Sequence, residues 1–242
     1  MKTLLLLADK YGESQIALNK LNDELPKIMK QSILQEAIQG RLVEQCEADE
    51  PATELLKRIQ QEKQKLVKEG KLKAKDITDS IIYKGDDNKY YEKCGNAVTC
   101  IDEEIQFDIP ENWCWCRIGQ VAEFINGLAF KPNEWETKGL PIIRIQNLSD
   151  ANKQFNYTTK VFDEKFKVHN GDLLFSWSAT LDAFIWQGDD SWLNQHIFKV
   201  NPYNCIDKYF LFYSLKGLVV NLKHITHGLT MKHLTRGVFE NY

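Results

Sequence analysis

At 242 residues, the chain has room for one ordinary domain plus an extension, or for two small domains, and it is long enough to bury a real core. Its 31 Lys+Arg stand against 34 Asp+Glu, a net charge of −3, which excludes a uniformly basic nucleic-acid coat but not a local basic patch. The apolar run near the start, Leu4 to Ala8, falls short of the roughly 7–15 residues of a secretory core and far short of the about 20 of a membrane span. A cytoplasmic protein with no membrane partner is expected.

The first hundred residues are poor in core material. Of 27 aromatic residues, 23 lie from Phe107 onward, and aromatics supply much of a core's buried area. The expected division is a helical arm over 1–75, a linker or hairpin over 76–104, and a globular body over 105–242. In the arm, residues 14–39 read as helix. Leu18, Leu21, Leu25 and Ile28, continued by Ile33, Leu34, Ala37 and Ile38, form a seam at helical spacing. Gly40 stands where a left-handed cap belongs, and Pro26 either kinks the helix or opens a second one. A further helix begins near Pro51, keeps Leu55, Leu56, Ile59, Leu66 and Val67 on one side, and ends at Gly70. Its charged outer face reads as solvated. After it, "IIYKGDDNKYYEKC" suits a hairpin or an ordered linker.

The body alternates strands and turns. "WCWCRIGQVAEFING" predicts a strand, a short helix and a turn at Asn126-Gly127, and "LPIIRIQNL" is β-rich. "VHNGDLLFSWSAT" predicts a turn at Asn170-Gly171 feeding a strand, and "AFIWQGDDSWLNQHIFKV" predicts strands around Gly188-Asp189. "DKYFLFYSLKGLVVNLKHI" has helical length and period. Strands followed by one helix, without regular alternation, make this an α+β protein, a mixed-sheet domain behind an N-terminal helical arm of coiled-coil type.

Known catalytic motifs are missing. There is no P-loop, G-x-S-x-G, H-E-x-x-H or Rossmann glycine cluster. The six cysteines form no C-x-x-C; Cys114 and Cys116 on a strand would share one face as small core hydrophobes, so reduced thiols and no metal site are expected. His224, His227 and His233 are metal-like in spacing but lack carboxylate or cysteine companions. No cofactor and no catalytic residue is therefore expected.

Binding residues are easier to find. From Lys208 to Phe239 there are five Lys/Arg (Lys208, Lys216, Lys223, Lys232, Arg236), three His and no acid. Such a block suits a phosphate backbone, where cations gain affinity by releasing counterions, though a merely soluble helix face would read the same. In "IIRIQNL", Arg144, Gln146 and Asn147 carry side chains that can grip base edges in bidentate fashion. On a strand, Arg144 and Gln146 would share a face. Strand-end hydrogen bonding is the alternative for the same residues.

With these motifs in place, the chain resembles the specificity subunit of type I restriction–modification systems. "KQSILQEAIQGRLVEQ" followed by "DEPATELLKRIQQEKQKLVKEGK" is similar to that family's conserved helical region, and "IQFDIPENWCWCRIGQVAEFINGLAF" to the entry of its target recognition domain. "GLPIIRIQNL", "GDLLFSWSAT", "LNQHIF" and "HGLTMKHLTR" follow in the family's order. The resemblance implies a sequence-specific, non-catalytic subunit reading one half of a split double-stranded DNA target, with partners in methyltransferase and restriction subunits. It also implies two recognition domains per full subunit, joined by paired helices; one domain and one arm are legible here. The seam residues Leu21, Leu25, Ile28, Ile33, Leu34 and Ile38 are then expected to close partly on this chain's second helix and otherwise on a missing half, a second copy in a weak homodimer, or a methyltransferase subunit. Expected DNA-binding residues are Arg144, Gln146, Asn147, Ser176, Ser178, Lys208, Lys216, Lys223, Thr230, Lys232, His233 and Arg236, with the loops around Asn126–Lys138 and Asp182–Asn194 held in reserve. The competing readings are a helical adaptor that binds only protein and a metal-dependent nuclease built on the histidine group.

Overall fold

A run of 37 residues forms α1 (Lys2–Ile38), about 55 Å long at 1.5 Å per residue. The helix begins earlier than the sequence suggests, taking in the leucine run, and it carries Pro26 inside it. It ends as the sequence predicts. Gly40 adopts φ +69°, its N–H donates to the Ala37 carbonyl, and that of Arg41 donates to Glu36, the paired bonds of a glycine cap. The computed structural model describes residues 2–73, 77, 80–150, 152–178, 180–226 and 239–241, without the side chains of 2–9 and 221–226. Two units divide the chain, Met1–Gln45 and Cys46–Tyr242. Among the described helices, none is long and apolar enough to cross a membrane.

The second unit opens with α2 (Ala52–Lys68), closed at Gly70 by the same glycine device, with Gly70 N–H to Val67 and Lys71 N–H to Leu66. Where the sequence reading grouped both helices in one arm, α2 belongs with the body. Ile59 is 2% exposed and lies in the main core, with Leu55, Leu56 and Leu66 packed against it. Its apolar face is thereby committed to the core of the second unit. β1 (Ser80–Lys84), β2 (Tyr90–Cys94) and β3 (Ala97–Cys100) form an antiparallel meander around the G-D-D-N turn. Arg117 ties it to the body through Glu92, Glu104 and the Asn241 carbonyl.

The strand expected around Cys114 and Cys116 is absent; those residues form an irregular segment. Cys116 nevertheless packs on the core, and burial pushes its thiol up to about 12. The short helix α3 (Ile118–Val121) and strand β4 (Ala122–Asn126) follow. Beyond them lie β5 (Leu140–Ile143), the short helix α4 (Ile145–Ser149), β6 (Asn156–Thr158), β7 (Lys167–Val168), β8 (Leu173–Ser176), β9 (Asp182–Ile185), β10 (Ser191–Leu193) and β11 (Ile197–Pro202). One sheet runs β4-β11-β8-β9, all antiparallel; the other runs β6-β5-β10-β7, with β5 parallel to β10.

β8 shows how the layers close. Leu173 and Phe175 face one core and Leu174 the other, the period-2 alternation of a strand covered on both sides. In the first core Phe239 stacks on Phe175 at 4.5 Å and meets Phe124 edge-on at 5.2 Å. α5 (Lys208–Thr226) adds Leu211, Leu215 and Val219, one helical face, to that core. Asp207 opens α5 by accepting the N–H groups of Tyr209 and Phe210, each at 2.8 Å.

Candidate nucleic-acid interface

β5 stops at Ile143, and the chain turns at once into α4 rather than continuing as the β-rich segment expected. The cause is Asn147. Its Oδ1 accepts the Arg144 N–H at 3.1 Å while its own N–H donates to the Arg144 carbonyl at 2.8 Å, so Arg144 serves as the cap of a one-turn helix. The Nδ2 group donates to the Lys153 and Gln154 carbonyls at 3.1 and 3.2 Å. Asn147 is 6% exposed. Its carboxamide thus clamps the two ends of the loop between β5 and β6, facing inward. Gln146, on α4, is exposed; the shared strand face inferred for Arg144 and Gln146 does not exist.

Arg144 points elsewhere. Its guanidinium lies over the Trp135 ring, 5.0 Å from the centroid, at a residue that is 36% exposed. Among the described residues of the second unit there are two other arginines, and both are neutralised: Arg58 by Glu50, and Arg117 by Glu92 and Glu104. Among the described residues no carboxylate forms an ion pair with Arg144. A planar five-donor cation on an exposed indole, with its donors not bound by acid, is equipped to take a bidentate acceptor edge.

The segment under that indole is itself pinned. Glu136 exchanges backbone hydrogen bonds with Tyr157 at 2.9 and 3.3 Å, extending the sheet beyond β6 by an isolated bridge. The Glu136 carboxylate accepts the Thr159 hydroxyl at 2.8 Å. Glu134 accepts the Lys131 N–H and the Lys160 ammonium, each at 2.9 Å, and these contacts, the backbone N–H foremost, hold its carboxyl below the usual range. Both acids beside Trp135 are therefore engaged by neighbouring residues of the scaffold. Lys138 and Lys153 flank the hairpin, exposed and without an ion pair among the described residues.

Of the remaining expected residues that are described, Ser176, Lys208 and Lys216 are bonded within the fold. Ser176 is fully buried, donating to the Thr180 and Asp182 carbonyls and accepting the Asp182 N–H, and so shapes the β8–β9 turn. Ser178 is half-buried in that turn. Lys208 donates to the Gly171 carbonyl at 2.7 Å. Lys216 pairs with Asp182 at 2.7 Å between the rings of Phe184 and Phe212, an acidic partner that its sequence neighbourhood lacks. Thr230, Lys232, His233 and Arg236 lie outside the described residues, as does His227, and the side chains of Lys223 and His224 are likewise not described. Among the described residues no three His, Cys, Asp or Glu gather to hold a metal. Sequence reasoning missed Trp135; only its place in the reserve loop Asn126–Lys138 pointed to it.

On α1, Leu21, Leu25, Ile28 and Ile33 are exposed, together with Ile16 and Leu18, and Leu34 and Ile38 are half-buried.

Known proteins share much of this sequence. A family model described as the type I restriction modification DNA specificity domain matches residues 110–242, more than half of the chain. The chain is similar to the type I restriction enzyme EcoAI specificity subunit of Escherichia coli, 45% identical over 122 residues that cover 50% of this chain and 17% of that protein. Similarity to the EcoEI specificity subunit of the same organism is 36% over 156 residues, covering 60% of this chain and 23% of the relative. The chain spans about a fifth of the length of these two relatives. Among solved structures, the HsdS subunit from Thermoanaerobacter tengcongensis gives a TM-score of 0.44 at 19% identity, covering 56% of this chain and 33% of that one.

Proposed function

The chain belongs to the type I restriction–modification DNA specificity domain family, and from that premise we propose that it reads one half of a bipartite double-stranded DNA target for a methyltransferase and restriction complex, with no catalysis of its own. The observation that carries this reading is Arg144, whose guanidinium has no acid partner among the described residues and stands on an exposed indole beside exposed Gln146, Lys138 and Lys153. Guanidinium and carboxamide groups are those that grip guanine and adenine edges in the major groove, and unpaired lysines around them supply the sequence-independent grip on phosphate. Arg144 and Gln146 are the proposed base readers. Lys138 and Lys153 join the cationic block from Lys208 to Arg236 as proposed phosphate contacts, with Lys208 and Lys216 contributing mainly to the fold.

Partner docking falls to α1, whose exposed leucines and isoleucines suit a helical partner on a methyltransferase subunit. The test is binding by the chain assembled with the methyltransferase subunit of its own system, over a randomised duplex pool at two salt concentrations. Enrichment of a motif, with affinity falling as salt rises, is the expected result. Failure to enrich any motif, with the complex intact, overturns the DNA-reading proposal and leaves the helical adaptor. The chain alone, given duplex DNA, Mg²⁺ and S-adenosylmethionine, is expected to leave the DNA unchanged.

A further inference from the structure

We propose that Trp135 is a positioning residue that sets the specificity of Arg144 by holding its guanidinium in one orientation; this rests on the DNA-reading proposal above. A flexible arginine can satisfy many acceptors, and discrimination between base pairs requires its fork to be presented at a fixed angle. Two constraints fix it here. At the backbone, Asn147 takes the Arg144 N–H and returns a bond to its carbonyl, so the residue's φ and ψ are set by a clamp that also holds Lys153 and Gln154. At the far end of the side chain, the indole face 5.0 Å away attracts the cation and confines the guanidinium plane.

The platform is built to stay in place. Trp135 lies between two residues that are each fastened to β6 or to the residues just after it: Glu134 through Lys160, and Glu136 through the Tyr157 backbone and the Thr159 side chain. These bonds occupy the neighbouring carboxylates, neither of which forms an ion pair with Arg144, so among the described residues the Trp135 ring is the group that engages the cation. A phosphate-contacting arginine needs no such arrangement, because a phosphate accepts from many directions. A base edge accepts from one. Stacking also lowers the ordering cost of a long side chain before DNA arrives.

The test uses the full chain assembled with its methyltransferase subunit and a randomised duplex pool, comparing wild type with Arg144→Ala, Trp135→Ala, Trp135→Leu and Trp135→Phe. Arg144→Ala should relax one base position by about 5–150-fold. Trp135→Ala should relax the same position by about 2–30-fold, the range of a cation–π contact, while the other positions and the salt slope stay at wild type. Trp135→Leu keeps apolar bulk without a π face and should behave like Ala; Trp135→Phe keeps a π face and should retain the preference. A wild-type motif that relaxes in Arg144→Ala but is unchanged in Trp135→Ala overturns the positioning role while the DNA reading stands. Equal loss on all sequences by Trp135→Ala also overturns it, since the indole would then touch DNA itself. If wild type enriches no motif, the DNA-reading proposal fails first, and this one with it.

Discussion

Asn147 and Gln146 differ by one position and one methylene, yet they stand in opposite environments. The Asn147 carboxamide is surrounded by backbone, and each buried polar group left without its partner costs about 1–3 kcal/mol. Asn147→Ala strands the Arg144 N–H and two carbonyls, so it should destabilise the second unit by about 2–4 kcal/mol in urea unfolding, whereas Gln146→Ala should stay within about 0.5 kcal/mol. Equal stability of the two variants would show that the clamp is dispensable. A second residue-scale expectation concerns acid. The Arg117 hydrogen bonds lower the Glu92 carboxyl from its ordinary value, against the opposing effect of burial. A carboxyl lowered in the folded state contributes stability that is fully present above its unfolded value, near 4.3, and is lost as pH falls through its folded value. Glu92→Gln should therefore be less stable than wild type at pH 7, and the gap should narrow as unfolding midpoints are measured toward pH 3. A gap that stays constant across that range would remove Glu92 from the acid sensitivity.

At the scale of elements, local signals in the sequence decided some structures and tertiary contacts decided others. Gly40 and Gly70 were legible as helix ends because a left-handed cap needs no partner beyond its own helix. The turns at G-D-D-N and Asn170-Gly171 were legible for the same reason. The segment from Ile143 was not: Ile143 and Ile145 favour a strand, whereas the clamp between Asn147 and the Lys153 and Gln154 carbonyls, a contact across the loop, accompanies a helix. The destination of α2 was equally hidden, since an apolar stripe states that a partner exists without saying which. Trp135 gave no periodic signal at all, being a single aromatic in a polar loop. The hairpin that carries the candidate site depends on Gly139, whose φ of +102° and close packing leave no room for a side chain; a Cβ there would lie 2.1 Å from the Thr158 carbonyl oxygen. Gly139→Ala should cost about 1–3 kcal/mol or more and disturb the pairing of Leu140 with Thr158. Amide hydrogen exchange across β5 and β6 reads this directly, and unchanged protection there would show that the strand pair tolerates the shift.

At the scale of the whole molecule, the two units place their apolar residues in contrasting ways. In the second unit, Ile59 carries the apolar face of α2 into the core. In the first, Leu25 and Ile28 remain more than half exposed on a long helix. Burying a leucine or isoleucine contributes on the order of 1.5–3 kcal/mol, so a row of them left in water favours association with another helix. The two sites should respond to substitution in opposite ways. Ile59→Ala should lower unfolding stability by about 2–5 kcal/mol and leave partner capture intact wherever the chain remains folded. Leu25→Asp with Ile28→Asp, both in the first unit, should leave the second unit's unfolding midpoint unchanged, yet should abolish co-purification with the methyltransferase subunit, since an aspartate in a helix–helix seam must be desolvated without a partner. Size-exclusion chromatography of the chain alone separates the remaining possibilities by concentration. A dimer that the double substitution converts to monomer identifies a second copy as a competing occupant of the seam. Retained methyltransferase binding in the double variant would move the docking surface off α1.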